Sequence, residues 1–199
     1  QLIGIEAEQK MFTLAASNMI IRGDGKANLY HGDCFDEDIF QKIRTIHKPT
    51  VGMINPPYSQ TEDGGKELDF VFNMLEMLEP NGIGIAIVPI NCAVSPQETY
   101  LREKILNKHT LEAVMSMPTT LFYPVGTVTC IMVFRAKKAH DSNKFSWFGL
   151  WRDDGFKVSR NAGRIDKDDN WERVKKEWLH NYKSRIDDKK TSVLRKVSA

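Results

Sequence analysis

Asn55-Pro56-Pro57-Tyr58 puts an amide, two residues without a backbone N–H and a phenol ring in four consecutive positions, directly after the apolar run Val51 to Ile54. Neither proline can donate to a sheet ladder, and residues that precede prolines are pushed toward extended backbone. A strand ending near Asn55 therefore leaves through a stiff exit. Such an exit holds a side-chain amide, unpaired carbonyls and an aromatic ring in one fixed cluster. A bare Pro-Pro is also an ordinary rigid turn, so the neighbouring strands have to decide what the cluster is for.

Two carboxylates stand at comparable places. Glu6 closes the run Leu2 to Ile5, and Asp33 closes Asn28 to Gly32. In open α/β sheets, ligands bind at the carboxyl ends of strands. An acid in the position of Glu6 suits ribose hydroxyls. Asp33 suits an adenine amino group, with the Cys34 N–H donating to a ring nitrogen. Taken singly, Glu6 reads equally as a helix-start carboxylate and Asp33 equally as an N-cap. One strand–helix unit apart, the two together point to a nucleoside site. No Gly-x-x-x-x-Gly-Lys phosphate loop occurs in the sequence. His31, His47, His109, His140 and His180 show no metal-ligand spacing, and Cys34, Cys92 and Cys130 form no Cys-x-x-Cys pair, so no metal site is expected.

The elements that must position these residues follow from periodicity. Residues 7–21 have helical composition, with Met11, Leu14, Ala15 and Met19 on one face and Gly23-Asp24-Gly25 after them. Strands are expected at 2–5, 28–33 and 51–55, with a helix over about 36–46 and another over 67–78. Ser59 to Lys66 is polar, contains Gly64-Gly65 and reads as a loop that is either a disordered connector or a segment that closes over the exit. Ile83 to Ile90 is continuously apolar, as in a strand covered on both faces. Ser95-Pro96 opens a helix to about Asn107. Strands at 111–117 and 127–134 are joined too tightly for a helical crossover, which predicts an antiparallel hairpin with Leu121-Phe122-Tyr123 in its loop. Residues 145–150 read as a strand that turns at Asp153-Asp154-Gly155 and returns through 156–159. A helix over 166–185 carries Trp171, Val174 and Trp178 on one face, and the last residues read as frayed. Strands alternating with helices predict an α/β fold with a largely parallel sheet.

Composition narrows the class. The 199 residues suffice for one sizeable domain, and no apolar run approaches the roughly 20 residues of a membrane span. Three dispersed cysteines and no secretory pattern fit a reducing cytoplasm. Residues 152–199 hold 14 Lys/Arg against 9 Asp/Glu, whereas residues 1–151 hold 14 against 17. The basic end either faces a polyanion or is a solvated helical face. Trp147, Trp151, Trp171 and Trp178 read as core or interface residues rather than a stacking platform.

Gly4-Ile5-Glu6 with Asn18-Met19, then Gly32-Asp33, then Asn55-Pro56-Pro57-Tyr58, resembles the amino-group DNA methyltransferases that use S-adenosylmethionine, above all the modification subunit of type I restriction systems and related adenine-N6 enzymes. Leu78-Glu79-Pro80-Asn81-Gly82 with Val88-Pro89, and Leu121-Phe122-Tyr123 with Gly126-Thr127 and Thr129-Cys130-Ile131, resemble the family's following strand and hairpin. The likeness covers roughly residues 2–137. It implies a Rossmann-like methyltransferase fold with a C-terminal antiparallel hairpin. It implies Asn55, Pro56, Pro57 and Tyr58 as the catalytic motif, and Glu6, Ala7, Asp33, Cys34 and Asn55 as contacts to S-adenosylmethionine. Tyr58 and Phe122 would stack on a target base that has left the duplex. The implied partners are DNA, a separate specificity subunit and a restriction subunit, with no membrane. The same motif occurs in protein-glutamine and some RNA methyltransferases, and a non-catalytic subunit-binding scaffold is a third reading.

The family's aromatic-x-Gly-x-Gly turn and the strand before it do not occur here. The expectation is a fragment of a longer modification subunit, or else a relic gene product, that handles cofactor poorly alone. Its parts would be a partial catalytic domain (1–137), a linker (138–144) and a β-hairpin-plus-helix extension (145–199).

Overall fold

The computed structural model describes residues 1–23, 28–58, 66–159 and 161–198. Among the described residues there are ten strands: β1 (Ile3–Glu6), β2 (Asn28–His31), β3 (Val51–Ile54), β4 (Ile83–Pro89), β5 (Thr110–Ser116), β6 (Thr129–Arg135), β7 (Phe145–Leu150), β8 (Lys157–Ser159), β9 (Gly163–Ile165) and β10 (Ser192–Lys196). The helices are α1 (Gln9–Ile21), α2 (Glu37–Lys42), α3 (Glu67–Met77), α4 (Asn91–Val94), α5 (Thr99–Leu106) and α6 (Trp171–Lys183).

Six strands form one sheet in the order β10-β7-β5-β6-β4-β3, and β1 pairs β2 in a separate parallel pair. β3, β4, β5 and β7 point the same way, while β6 and β10 run against them. Four of the six strands thus share one direction, with the expected antiparallel β5–β6 hairpin next to β4.

α3 forms because Leu68, Val71 and Leu75 repeat at helical spacing behind Glu67 and Asp69, whose charges favour the first turn. All three apolar side chains are fully buried against Ala86, Val88, Cys130, Met132 and Phe134 of β4 and β6. Each contributes roughly 1.5–3 kcal/mol. Gly52 and Gly84 face each other in the β3–β4 register. A methyl group on Gly84 would sit 2.4 Å from Leu75 Cδ2, and one on Gly52 would sit 2.9 Å from Met74 Sδ. Bare backbone at this pair is what lets α3 lie close on the sheet.

The other face of the sheet carries the tryptophan cluster. Trp147 packs with Ala113, Met115, Val133 and Trp151. The Trp147 Nε1–H donates to the Ile186 carbonyl at 2.8 Å. Trp151 and Trp178 stack with ring centroids 5.0 Å apart. These tryptophans build core, as the sequence indicated.

Four expectations change. The helix expected from Ser95 opens as a 3₁₀ turn at Pro96–Glu98, with Ser95 accepting the Gln97 N–H, before α5 begins; α4 is a separate turn of helix ahead of it, closed off because Ser95 is held extended (ψ 135°) before Pro96. Residues 145–150 do not form a hairpin with 156–159. The edges of β7 are taken by β5 and β10, and β8 pairs instead with β9 across a turn that uses Gly163 at φ 67°. The last residues are ordered rather than frayed. Asp188 Oδ1 accepts the N–H groups of Lys190, Thr191 and Ser192, and that turn delivers β10 to the sheet. These bonds, the Thr191 hydroxyl first, hold the Asp188 carboxyl well below its usual range. Finally, α1 forms, but none of its residues is buried, and Met11 and Leu14 stay half exposed. The expected Ser59–Lys66 loop falls largely outside the described residues, as do Asp24 and Gly25.

His109 tests the packing of α3 against the strand edge. It is fully buried. Its Nδ1 accepts the Lys137 N–H at 3.0 Å, so the neutral ring carries its proton on Nε2, 3.2 Å from Glu76 Oε1. Burial pushes its pKa from 6.5 down to about 4, with the Glu76 charge opposing. The unfolded chain binds a proton near pH 6.5 and the folded chain does not until about pH 4. Stability from this group is therefore complete above pH 6.5 and falls as pH drops toward 4. The loss is on the order of 2–3 kcal/mol. Urea unfolding of the native protein and of His109→Gln at pH 7 and pH 4.5 checks this. The two should lose stability by different amounts, and parallel losses would refute it.

Candidate active site

β3 ends at Ile54, and its exit runs Asn55-Pro56-Pro57-Tyr58 with Pro56 buried and Asn55 and Pro57 exposed. The Tyr58 hydroxyl donates to Asn55 Oδ1 at 2.8 Å and lies 3.5 Å from the Ile87 carbonyl of β4. Burial raises the phenol pKa, and the Cys130, Cys92 and Glu67 charges act in the same direction, so the hydroxyl remains a donor. The Tyr58 and Phe122 rings meet edge to face, centroids 6.1 Å apart at 85°. Their meeting follows from topology. β6 runs against β4, so Thr129 lies opposite Pro89, and Cys130 lies opposite Ser116 of β5. The β5–β6 connection therefore sits at the carboxyl end of β4, beside the exit from β3. Asn55, Tyr58 and Phe122 form one cluster.

Glu6 and Asp33 are brought together by the small sheet. Glu6 lies opposite His31, and the Gly32 N–H donates to the Glu6 carbonyl at 3.0 Å, so Asp33 follows directly. Glu6 Oε1 accepts the Glu8 N–H at 2.9 Å, and Ala7 between them is exposed. Asp33 is not the cap of α2. Asp36 takes that role by accepting the Ile39 N–H at 3.0 Å, while Asp33 Oδ1 accepts the Phe35 N–H at 2.9 Å. Each acid so far uses one side-chain oxygen locally, which leaves acceptor capacity for hydroxyl or amino groups.

A cleft of about 730 Å³ separates the two sheets. Leu2, Gly4 and Ile5 line one wall and Val51, Met53 and Ile54 the other. β1 pairs only with β2, and β3 is the edge of the large sheet. Met53 is 77 % exposed and Val51 56 %. One polar tie crosses from α3: Asn73 Nδ2 donates to the Cys34 carbonyl at 2.7 Å. Phe35 and Phe70 pack edge to face beside it at 4.8 Å. The Cys34 thiol is pushed up to about 11 by burial and by Asp33, so Cys34 offers backbone rather than nucleophilic sulfur here. Sequence reasoning did not single out Asn73, Phe35 or Phe70. The available signal was a lone amide inside the apolar helix Leu68 to Met77. Among the described residues no group of His, Cys, Asp or Glu is arranged to hold a metal, and no helix is long and apolar enough to cross a membrane.

The site is thus rich in fixed acceptors and aromatic rings. The fold around it is that of S-adenosylmethionine-dependent methyltransferases. The chain superposes on the methyltransferase subunit of a type I restriction-modification system from Streptococcus thermophilus with a TM-score of 0.76, 20% identity, 97% of this chain and 44% of that one. It also superposes on a Listeria monocytogenes protein assigned to the class I S-adenosylmethionine-dependent methyltransferases, with a TM-score of 0.62, 14% identity, 90% of this chain and 54% of that one.

The model of the N-6 DNA Methylase family matches residues 1–196; the chain belongs to that family. The match runs well past residue 137, where the sequence resemblance ended, which accords with β7 and β10 lying in the main sheet. The type II restriction enzyme and methyltransferase RM.BcgI of Heyndrickxia coagulans is 38% identical over 187 residues, 90% of this chain and 28% of that protein. The chain therefore spans under a third of this relative's length.

Proposed function

We propose that this chain forms the base-receiving part of a DNA adenine-N6 methyltransferase in a cytoplasmic restriction-modification system, with S-adenosylmethionine as methyl donor. The observation that carries the reading is the cluster of Asn55 and Tyr58 with Phe122 at the exit of β3, together with Glu6 and Asp33 side by side at the ends of β1 and β2. Glu6 and Ala7 would hold the ribose side of the cofactor, and Asp33 and Cys34 its adenine. Two carboxylates on adjacent strand ends, with spare acceptor oxygens, fit a nucleoside. The cofactor supplies an electrophilic methyl group on a sulfonium.

The chain's own residues then handle the base. An adenine amino nitrogen is a weak nucleophile because its lone pair is delocalised into the ring. Asn55 Oδ1 accepts one amino hydrogen and the Pro56 carbonyl the other. Two fixed acceptors favour a pyramidal nitrogen and stabilise the positive charge that grows on it. Prolines keep both aimed. Tyr58 and Phe122 offer faces to a base extruded from the duplex, worth about 1–3 kcal/mol per stacked base. In the structure Tyr58 donates to the same Asn55 oxygen, which fixes the rotamer of the amide before a base arrives.

The basic C-terminal quarter, 14 Lys/Arg against 9 Asp/Glu over residues 152–199, suits phosphate contacts. A specificity subunit would supply sequence recognition, with a restriction subunit as further partner. The test uses the full-length protein with its partners and a tritiated methyl donor. Label should enter unmodified DNA as N6-methyladenine. Label confined to RNA or to glutamine in protein would replace this reading with the related amide-methylating ones.

Residues 1–199 alone should bind S-adenosylmethionine more weakly than micromolar. Glu6 and Asp33 stand on a two-stranded sheet, and such a pair is marginal by itself. The aromatic-x-Gly-x-Gly turn of the resembling enzymes is not in this sequence. Isothermal calorimetry decides this: micromolar affinity would overturn it.

A further inference from the structure

Phe122 stands in a turn with little of its own to hold it. Leu121, Tyr123 and Val125 donate to Pro118, Thr120 and Phe122 in succession, and Tyr123 and Val125 are exposed. From another element, Arg164 on β9 reaches this turn: its Nε–H donates to Thr120 Oγ1 at 3.1 Å. Arg164 is itself fixed. Its Nη2 lies 2.7 and 2.6 Å from the two oxygens of Asp154. The side chains are 13% and 8% exposed. The guanidinium lies 5.1 Å from the Phe156 ring centre, and Asp154 Oδ1 also accepts the Phe156 N–H at 3.1 Å.

We infer that Arg164 is a positioning residue for the base-receiving corner. An anchored cation grips Thr120, and Thr120 sets the turn that presents Phe122 to Tyr58. The β8–β9 hairpin thereby acts as a strap on the active site from a residue 44 positions beyond Thr120 in sequence. Such a strap explains a buried charge pair so near the surface. A point charge would bind Asp154 as well, but only the planar fork of arginine serves Asp154 and Thr120 together. This inference rests on the reading of Tyr58 and Phe122 as the base-receiving rings.

Removing Arg164 outright would leave Asp154 buried and unpaired, a change that destabilises by itself. Thr120→Val is the clean variant, because it keeps the shape and the Arg164–Asp154 pair and deletes only the accepting oxygen. Thr120→Ser restores that oxygen. In the full-length protein with its partners, Thr120→Val should lower kcat for DNA methylation by roughly 10- to 100-fold, as for a catalytic corner displaced by about an ångström. KM for S-adenosylmethionine should stay unchanged, and Thr120→Ser should recover most of the rate. Hydrogen exchange read by mass spectrometry gives an arm independent of activity. Amides of residues 121–125 should exchange on the order of tenfold faster in Thr120→Val, the effect of one lost hydrogen bond to a charged donor, while those of β4 do not change. Unchanged exchange, or a Thr120→Ser protein as impaired as Thr120→Val, overturns the strap. If exchange responds as expected but the native protein methylates no DNA, the strap stands and the proposed function falls.

Discussion

Asn55→Ala should abolish methyl transfer in the full-length protein while cofactor binding survives. The amide oxygen is the one side-chain acceptor fixed at the exit of β3, and Tyr58 already holds it in place at 2.8 Å. Alanine leaves the nitrogen of the substrate with a single backbone acceptor and frees the Tyr58 hydroxyl as well. Removing one preorganised hydrogen-bonding group from a site of developing charge costs on the order of 10²–10³ in rate. Here the loss of Tyr58 alignment adds to it. Glu6 and Asp33 stand on the other sheet, so the calorimetric affinity for S-adenosylmethionine should change little. Methylation assayed by tritium incorporation and digestion to nucleosides checks the rate. Persistent N6-methyladenine at near-native rates would mean that Asn55 is not the acceptor.

Trp147→Ala should cost about 3–5 kcal/mol of folding stability, the range for a large aromatic removed from a core. The side chain is 1% exposed. It contacts Trp151 and Tyr182 edge to face, at 6.1 and 5.5 Å. A methyl group built on Gly149 would lie 2.5 Å from the Trp147 ring, so the indole lies directly over bare backbone. Truncation also removes one of the two donors to the Ile186 carbonyl, which keeps only the Ser192 hydroxyl at 2.6 Å. Against the 5–15 kcal/mol that holds a typical domain together, this is a large fraction. Urea unfolding followed by circular dichroism measures it. A loss under about 1 kcal/mol would show that the aromatic cluster closes over the gap and that its packing is looser than the geometry indicates.

The exit from β3 and the hairpin beside it were legible because their signals are local. Prolines declare a strand exit whatever surrounds them, and a short connection between Met117 and Thr127 leaves only a hairpin. The order of strands then puts Phe122 beside Tyr58 without further information. The C-terminal part was less legible because its pairing is not local. Residues 145–150 have the composition of a strand in any partnership, and nothing in them indicates that β5 rather than 156–159 lies alongside. Asp188 looked like one more charge in a polar tail; its value lies in three backbone N–H groups that converge on it. Asn73 and Arg164 escaped for a related reason. Each is a single polar residue whose partner, Cys34 or Thr120, is 39 or 44 positions away.

The Asn73–Cys34 bond has a mechanical meaning. α3 is locked to the large sheet by Leu68, Val71 and Leu75, and through Asn73 it also grips the segment that follows β2. It works as a spacer bar between two plates. The width of the cleft between β1 and β3 is therefore set by how deeply one helix seats on its strand, and the glycine pair Gly52 and Gly84 sets that depth. A side chain added there would widen the gap without touching a single group that contacts a ligand, and rate would fall because reach, not chemistry, had changed.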